Sequence, residues 1–345
     1  MISRIDNQTN YDSQKRILVI KWGGLGDIIL TIPAFRSIAE SFPDYKLTLM
    51  TSDDSISLFQ RQSFFDEVLG IPWKDFTCEY IETDKNKSVP FFEERRFERV
   101  YCFADNSKDL NRFLLRSRVP YVYISDNEFP KGPKRHAAEY FHDFVLQAGI
   151  CHPFSNPHIH LSESELETSV DYLRNLGISL DSPLIGIFPG SRTKGKCWKA
   201  TRFALLIALL QGGNLSNIIL FENKEDSEAV DSVLGELPIH MRPISVSIKN
   251  PRYLAAMFAQ CSLLICNDSG VMHLAAAVNT PVVALFGPTD YEVWGPLGNI
   301  NRIVNRRIDI CFDCNYDKVS ECEKGICFES IRVSDVFQAV EYILR

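Results

Sequence analysis

Residues 17–38 read ILVIKWGGLGDIILTIPAFRSI, and the fold is decided there. The apolar run at 16–22 is short, rich in branched residues and uninterrupted, as a strand buried on both faces requires. Gly23, Gly24 and Gly26 follow at once. The apolar spacing then changes to that of a helix running through Ala39. A strand, a glycine turn and a helix open a parallel α/β sheet. Further strands are expected at 46–51, 99–103 and 120–124, and a helical stretch starts at 139–146. Residues 74–96 are polar with little periodicity and read as a loop-rich excursion. Prolines between 151 and 183 interrupt the pattern around one helix at 163–176. It then restarts, with strands at 184–188, 217–221, 263–266 and 281–286 and helices at 201–211, 225–234, 252–260 and 271–278. Two such series predict an α/β protein with two doubly wound, Rossmann-like domains facing across a cleft.

The chain has 345 residues, of which 45% are hydrophobic and 23% charged. That composition argues against a disordered or fibrous protein, and the length suits about two domains. The expected division is 1–165, 166–330 and a closing amphipathic helix at 331–345 that packs back. The net charge of −7 disfavours a bulk nucleic-acid binder. The polar first ten residues lack the apolar core of a signal peptide, so a cytoplasmic location is expected. No apolar stretch reaches the roughly 20 uninterrupted residues of a membrane span, which leaves peripheral attachment open.

Three loops at the carboxyl ends of expected strands carry the chemistry. In the first, a dinucleotide fingerprint would need glycine where Ile29 stands, and the Gly-Lys-Ser/Thr of a phosphate loop is absent. What remains is Asp27 at a helix start, either an N-terminal cap or a carboxylate serving the cleft. The second, FPGSRTKGKCW (188–198), sets Arg192, Lys194 and Lys196 among glycines and small hydroxyls. Such cations suit phosphate oxygens, unless the loop is merely solvated. The third, NDSGVMH (267–273), runs into a small-residue helix whose first amides form an anion site on dipole grounds. Asp268 there is also a candidate cap, and His273 a candidate core histidine. A carboxylate in one half facing phosphate-binding loops in the other predicts group transfer from a phosphorylated donor.

Together, residues 17–38, 185–198 and 267–290 resemble glycosyltransferase family 9, the ADP-heptose lipopolysaccharide heptosyltransferases. The resemblance implies a GT-B fold and inverting transfer of heptose from ADP-heptose to a lipopolysaccharide core, with no catalytic metal. It implies Asp27 as the general base. It places Ser191, Lys196 and Asp268 around the donor, with Ser269, Gly270, Val271 and Met272 giving helix-start amides to the diphosphate and His273 completing the motif. Glu222 or Glu225 would hold the nucleotide, and Glu225 is taken as the candidate. Gly24, Gly26 and Arg135 are the acceptor-side candidates. Residues 108–136 carry seven Lys or Arg against three Asp or Glu, which would suit an anionic glycolipid acceptor at the inner face of the inner membrane. A solvated helix face would look the same.

Cys311, Cys314, Cys322 and Cys327 crowd four of the ten cysteines into the 311–327 stretch. Four thiolates meet the tetrahedral demand of structural zinc or iron; free thiols and disulfides are the alternatives. The remaining cysteines, at 78, 102, 151, 197, 261 and 266, are expected as small buried residues. Two other functions stay in view: a related transferase with another nucleotide-sugar or a protein acceptor, and a non-catalytic scaffold stabilised by metal.

Overall fold

The computed structural model describes residues 15–71, 95–103, 119–125, 134–213, 217–223, 227–298, 300–305 and 326–345, with isolated positions at 92, 110, 114, 117 and 215. The first half contains β1 (Arg16–Ile20), α1 (Leu25–Leu30), α2 (Ile32–Ser41), β2 (Lys46–Thr51), α3 (Ile56–Phe59), β3 (Glu67–Gly70), β4 (Phe97–Cys102), β5 (Tyr121–Ile124) and α4 (Ala137–Gln147). Then α5 (Glu163–Asn175) leads into the second half. That half begins with β6 (Ile185–Phe188), α6 (Ala200–Gly212), β7 (Ile218–Glu222), α7 (Ser227–Gly235), β8 (Ile244–Ser247) and α8 (Pro251–Phe258). It continues with β9 (Leu263–Asn267), α9 (Gly270–Ala277), β10 (Val282–Phe286), α10 (Tyr291–Trp294), β11 (Arg302–Asn305), α11 (Ile326–Glu329) and α12 (Val333–Leu344).

Both sheets are wholly parallel, in the orders β3-β2-β1-β4-β5 and β11-β10-β9-β6-β7-β8. Each order reverses at one place, between β1 and β4 in the first sheet and between β6 and β9 in the second. Ligands bind beyond the strand ends at such reversals, because the flanking connections leave on opposite faces and open a crevice. The loops after β1, β6 and β9 are the three singled out from the sequence.

Residues of β1, β9 and β10 are almost completely buried, which explains why their unbroken apolar runs were legible. Three strands were not expected: β3, β8 and β11. All lie at sheet edges and have four residues each, with at most one of the four buried, so they leave no apolar run or alternation in the sequence. The expected single helix through Ala39 is two helices meeting at Thr31, where Pro33 supplies no N–H. One continuous apolar core joins α1, α2 and α4 to α8 and α9, so the halves are not separately packed. In it Phe35 lies edge-on to Phe59, Phe65 and Phe103 at centroid distances of 5.8, 5.4 and 5.8 Å.

The closing helix α12 lies against α6, β10 and β11, with Val336 and Val340 fully buried there. Cys102, Cys261 and Cys266 are buried as expected, whereas Cys197 is partly exposed and Cys151 exposed, the latter because it follows helix α4 in an open connection. Among the described residues, no helix is long and apolar enough to cross a membrane. The excursion at 74–96 and the basic stretch at 108–136 fall largely outside the described residues.

Candidate active site

The loop after β1 turns at Gly23, whose φ of +151° is open only to glycine at little cost. The Gly24 amide then donates to Asp27 Oδ2 at 3.2 Å, so the carboxylate caps α1. It also lines the cleft, half-buried. Capping occupies one oxygen, and Oδ1 has no partner among the described residues. The two readings of Asp27 are therefore compatible.

Beyond β6 the chain makes a tight turn, Lys194–Lys196, in which the Lys196 amide bonds the Thr193 carbonyl at 2.9 Å. Lys196 Nζ donates to Asp268 Oδ2 at 2.8 Å, both side chains being largely buried. Asn267, wholly buried at the end of β9, fastens the two loops. Its side-chain Oδ1 accepts from the Trp198 amide at 3.0 Å, and its Nδ2 donates to the Pro189 carbonyl at 2.7 Å. The Trp198 ring meets Phe203 edge-on at 4.9 Å and its Nε1–H donates to the Ile331 carbonyl at 3.2 Å. A buried amide that lost either partner would cost about 1–3 kcal/mol, so the arrangement holds Lys196 and Asp268 in register. Sequence reading missed Asn267 and Trp198 as positioning residues. Their signal was a lone amide ending an apolar strand and a tryptophan two residues beyond Lys196.

Ser269 caps α9 in an extended conformation, and Gly270 and Val271 start the helix at the cleft wall. Their amides precede any intrahelical acceptor. The expectation for Met272 needs correction. It is fully buried and its amide bonds the Ser269 carbonyl at 3.1 Å, so that N–H is already engaged. His273 is buried, and desolvation, helped by the nearby charges of His136 and Lys196, pushes its pKa down to about 3. It is a neutral ring at physiological pH.

Helices α1 and α9 start against one another. A Cβ on Gly270 would lie 2.9 Å from the Gly26 amide nitrogen, and one on Gly26 would lie 2.9 Å from Cδ2 of His273. Glycine at both positions lets two backbones, and so the two halves, meet. Asp27, Gly24 and Gly26 on one side, and Ser191, Lys196, Asp268, Ser269, Gly270, Val271 and His273 on the other, line one cleft of about 590 Å³. Arg192, Thr193, Asn223, Asp290 and Trp294 line it too. The volume is in the usual range for a small-molecule site. Its rim is tied across the halves by a Lys134–Asp290 ion pair and by His136 Nε2–H donating to the Gly295 carbonyl at 2.9 Å.

Other expected site residues do not join this cleft. Arg135 is exposed just before α4 and pairs with Glu139 and Asp143 of that helix. Glu225 lies outside the described residues, as do Cys311, Cys314 and Cys322. Cys327 is partly buried, its Cβ 3.3 Å from where a Cβ on Gly287 would stand. Among the described residues no three His, Cys, Asp or Glu side chains are grouped to hold a metal ion.

The family model described as "Glycosyltransferase family 9 (heptosyltransferase)" matches residues 116–321, more than half of the chain. Lipopolysaccharide heptosyltransferase 2 of Escherichia coli K12 is 24% identical over 310 residues, covering 84% of this chain and 87% of that protein. The glycosyl transferase family 9 structure from Veillonella parvula superposes with a TM-score of 0.76 at 23% identity, over 96% of this chain and 97% of the other. The structure of E. coli ADP-heptose LPS heptosyltransferase II gives 0.76 at 20% identity, over 95% and 98%. The shared architecture is GT-B, two doubly wound sheets across a cleft, as the sequence led us to expect.

Proposed function

The chain belongs to glycosyltransferase family 9, and we propose that it is an inverting transferase carrying heptose from ADP-heptose to a lipopolysaccharide core acceptor. One observation carries this reading. A carboxylate from one half and a lysine–aspartate pair with a helix start from the other converge on a single cleft between the two switch points. The diphosphate sits against Lys196, Ser191 and the amides of Gly270 and Val271, where positive charge and the helix dipole favour an anion. Asp268 faces the donor sugar, and Glu225 holds the nucleotide. Asp27 Oδ1 takes the proton of the acceptor hydroxyl as that oxygen attacks the anomeric carbon from the face opposite the diphosphate, which inverts the configuration. Gly24 and Gly26 line the cleft on the acceptor side, and Arg135 with the basic stretch at 108–136 receives acceptor phosphates. Such a glycolipid would bring the enzyme to the cytoplasmic face of the inner membrane.

The reaction needs no metal in this scheme. Cys311, Cys314, Cys322 and Cys327 would hold one structural zinc or iron. Of these, Cys327 stands beside the turn at Gly287 that follows β10. A second reading keeps the fold and changes the donor. The strand end Leu220-Phe221-Glu222-Asn223 lacks the glycine that the family often has there, and Asn223 lines the cleft. Transfer assays with a panel of nucleotide-sugars on truncated lipopolysaccharides, read by mass spectrometry, decide between them. A mass gain of one heptose from ADP-heptose alone supports the first reading. A gain only from another donor replaces it, and no transfer from any donor removes both.

A further inference from the structure

The charges of the cleft do not balance without Arg192. The described ionised side chains lining it are Asp27, Asp268, Asp290, Lys196 and Arg192. Lys196 is committed to Asp268 at 2.8 Å, and Asp290 to Lys134. Asp27 and Arg192 remain. A point at the Cβ position of Gly24 lies 3.4 Å from Asp27 Oδ2 and 3.6 Å from an Arg192 guanidinium nitrogen, so the two opposite charges flank that glycine. No carboxylate among the described residues holds Arg192 in an ion pair or hydrogen bond. The side chain is exposed and belongs to the loop after β6, yet it reaches the loop after β1.

We propose that Arg192 is the leaving-group residue of this transferase, binding the donor diphosphate from the side that faces Asp27. The assignment rests on the nucleotide-sugar reading above and goes beyond it. A diphosphate entering the cleft meets a Lys196–Asp268 pair that is close to neutral as a unit, and it meets Asp27, which repels it. Arg192 supplies the unpaired positive charge, and its planar fork matches two phosphate oxygens at once. In the transfer step the acceptor oxygen bonds to the anomeric carbon and its proton passes to Asp27. The bond from that carbon to the diphosphate oxygen breaks, and the electron pair stays on the oxygen. The diphosphate therefore leaves with one more negative charge than it had in the donor. A cation beside it stabilises the transition state more than the ground state, which is the condition for raising kcat.

The test uses Arg192→Gln and Arg192→Lys in the full chain. Calorimetric titration with ADP and with inorganic pyrophosphate measures the anion site independently of any sugar. Steady-state transfer measures kcat and the acceptor KM, and thermal melting checks the fold, which an exposed side chain should leave unchanged. Arg192→Gln is expected to weaken both ligands about tenfold or more and to lower kcat about 10- to 100-fold, with the acceptor KM within about twofold. Arg192→Lys keeps the charge without the fork and falls between. Arg192→Gln binding ADP and pyrophosphate as tightly as the wild type overturns the assignment, and so does a variant that loses only acceptor affinity. A wild-type protein that binds both ligands but transfers no heptose refutes the heptosyl reading and leaves the Arg192 assignment standing. One that binds neither ligand removes the Arg192 assignment itself.

Discussion

Replacing Gly270 with alanine adds a single methyl group where the two halves touch. The new Cβ would stand 2.9 Å from the Gly26 amide nitrogen and 3.0 Å from Leu25 Cβ. Neither neighbour is the far end of a flexible chain, so α1 must move away from α9 by a few tenths of an ångström. Overpacking of this kind costs about 1–3 kcal/mol. Alanine recovers about 0.5–1 kcal/mol at a helical position relative to glycine. The net loss of stability is then about 0–2.5 kcal/mol, a drop of a few degrees in Tm. The displacement, however, falls between Asp27 and the donor loops, the distance on which transfer depends. Misplacement of reacting groups by about 1 Å can cost about 100-fold in rate, so a loss of about tenfold in kcat is expected from a smaller shift. Initial rates of sugar transfer, measured beside calorimetric melting of the same preparation, separate the two effects. A Gly270→Ala protein with wild-type kcat and an unchanged or higher Tm would show that the contact yields without consequence, and the reasoning would fail.

Three other expectations concern separate parts of the molecule. Asp27→Asn retains an oxygen to accept from the Gly24 amide, so stability should fall by less than about 1 kcal/mol while kcat falls about 100- to 10,000-fold; a folded variant at the wild-type rate ends the base role. Glu165 is held to a pKa of about 2, against 4.5, first by hydrogen bonds from Arg252, which also bonds the Leu58 and His160 carbonyls. Because the folded pKa lies below the unfolded one, this stabilisation is complete above pH 4.5 and drains away as pH falls toward 2. It amounts to at most about 3 kcal/mol. Denaturant titrations between pH 6 and pH 2.5 should lose stability more steeply in the wild type than in Glu165→Gln, and parallel curves would contradict the ion pair's contribution. Elemental analysis of protein purified without chelator should find about one zinc or iron per chain, and Cys314→Ser should lose it. Metal-free wild-type protein of full stability argues for free thiols instead.

The legibility of the site in the sequence followed burial. The loops after β1, β6 and β9 could be located because each follows a strand that is buried throughout or, in β1, from Ile17 onward, so the apolar run ends abruptly where the chemistry begins. Asp27, Lys196 and Asp268 were marked by charge at those ends. The two functions of Asp27 were posed as alternatives because sequence cannot say that one oxygen caps the helix while the other faces a cleft. Arg192 was read as one of three loop cations. Its distinction from Lys196 depends on which of them Asp268, 72 positions away in the chain, takes as partner. The amide of Met272 was assigned to a ligand because sequence marks a helix start to within a residue or two, whereas the hydrogen bond from that amide to Ser269 is settled by the backbone path.

The sequence alone determined the class of fold, the places where ligand loops would emerge and the family, since strand burial and glycine turns are local and leave a local pattern. Tertiary structure decided what lies opposite what. The edge strands β3, β8 and β11 owe their existence to a single neighbour that supplies all of their ladder hydrogen bonds. The Gly26–Gly270 approach, the Lys196–Asp268 pair and the place of Arg192 across from Asp27 each join residues of separate βα units. Such pairings are set by the packing of one sheet's helices on the other's, a long-range balance of burial and steric fit that no stretch of the chain encodes by itself.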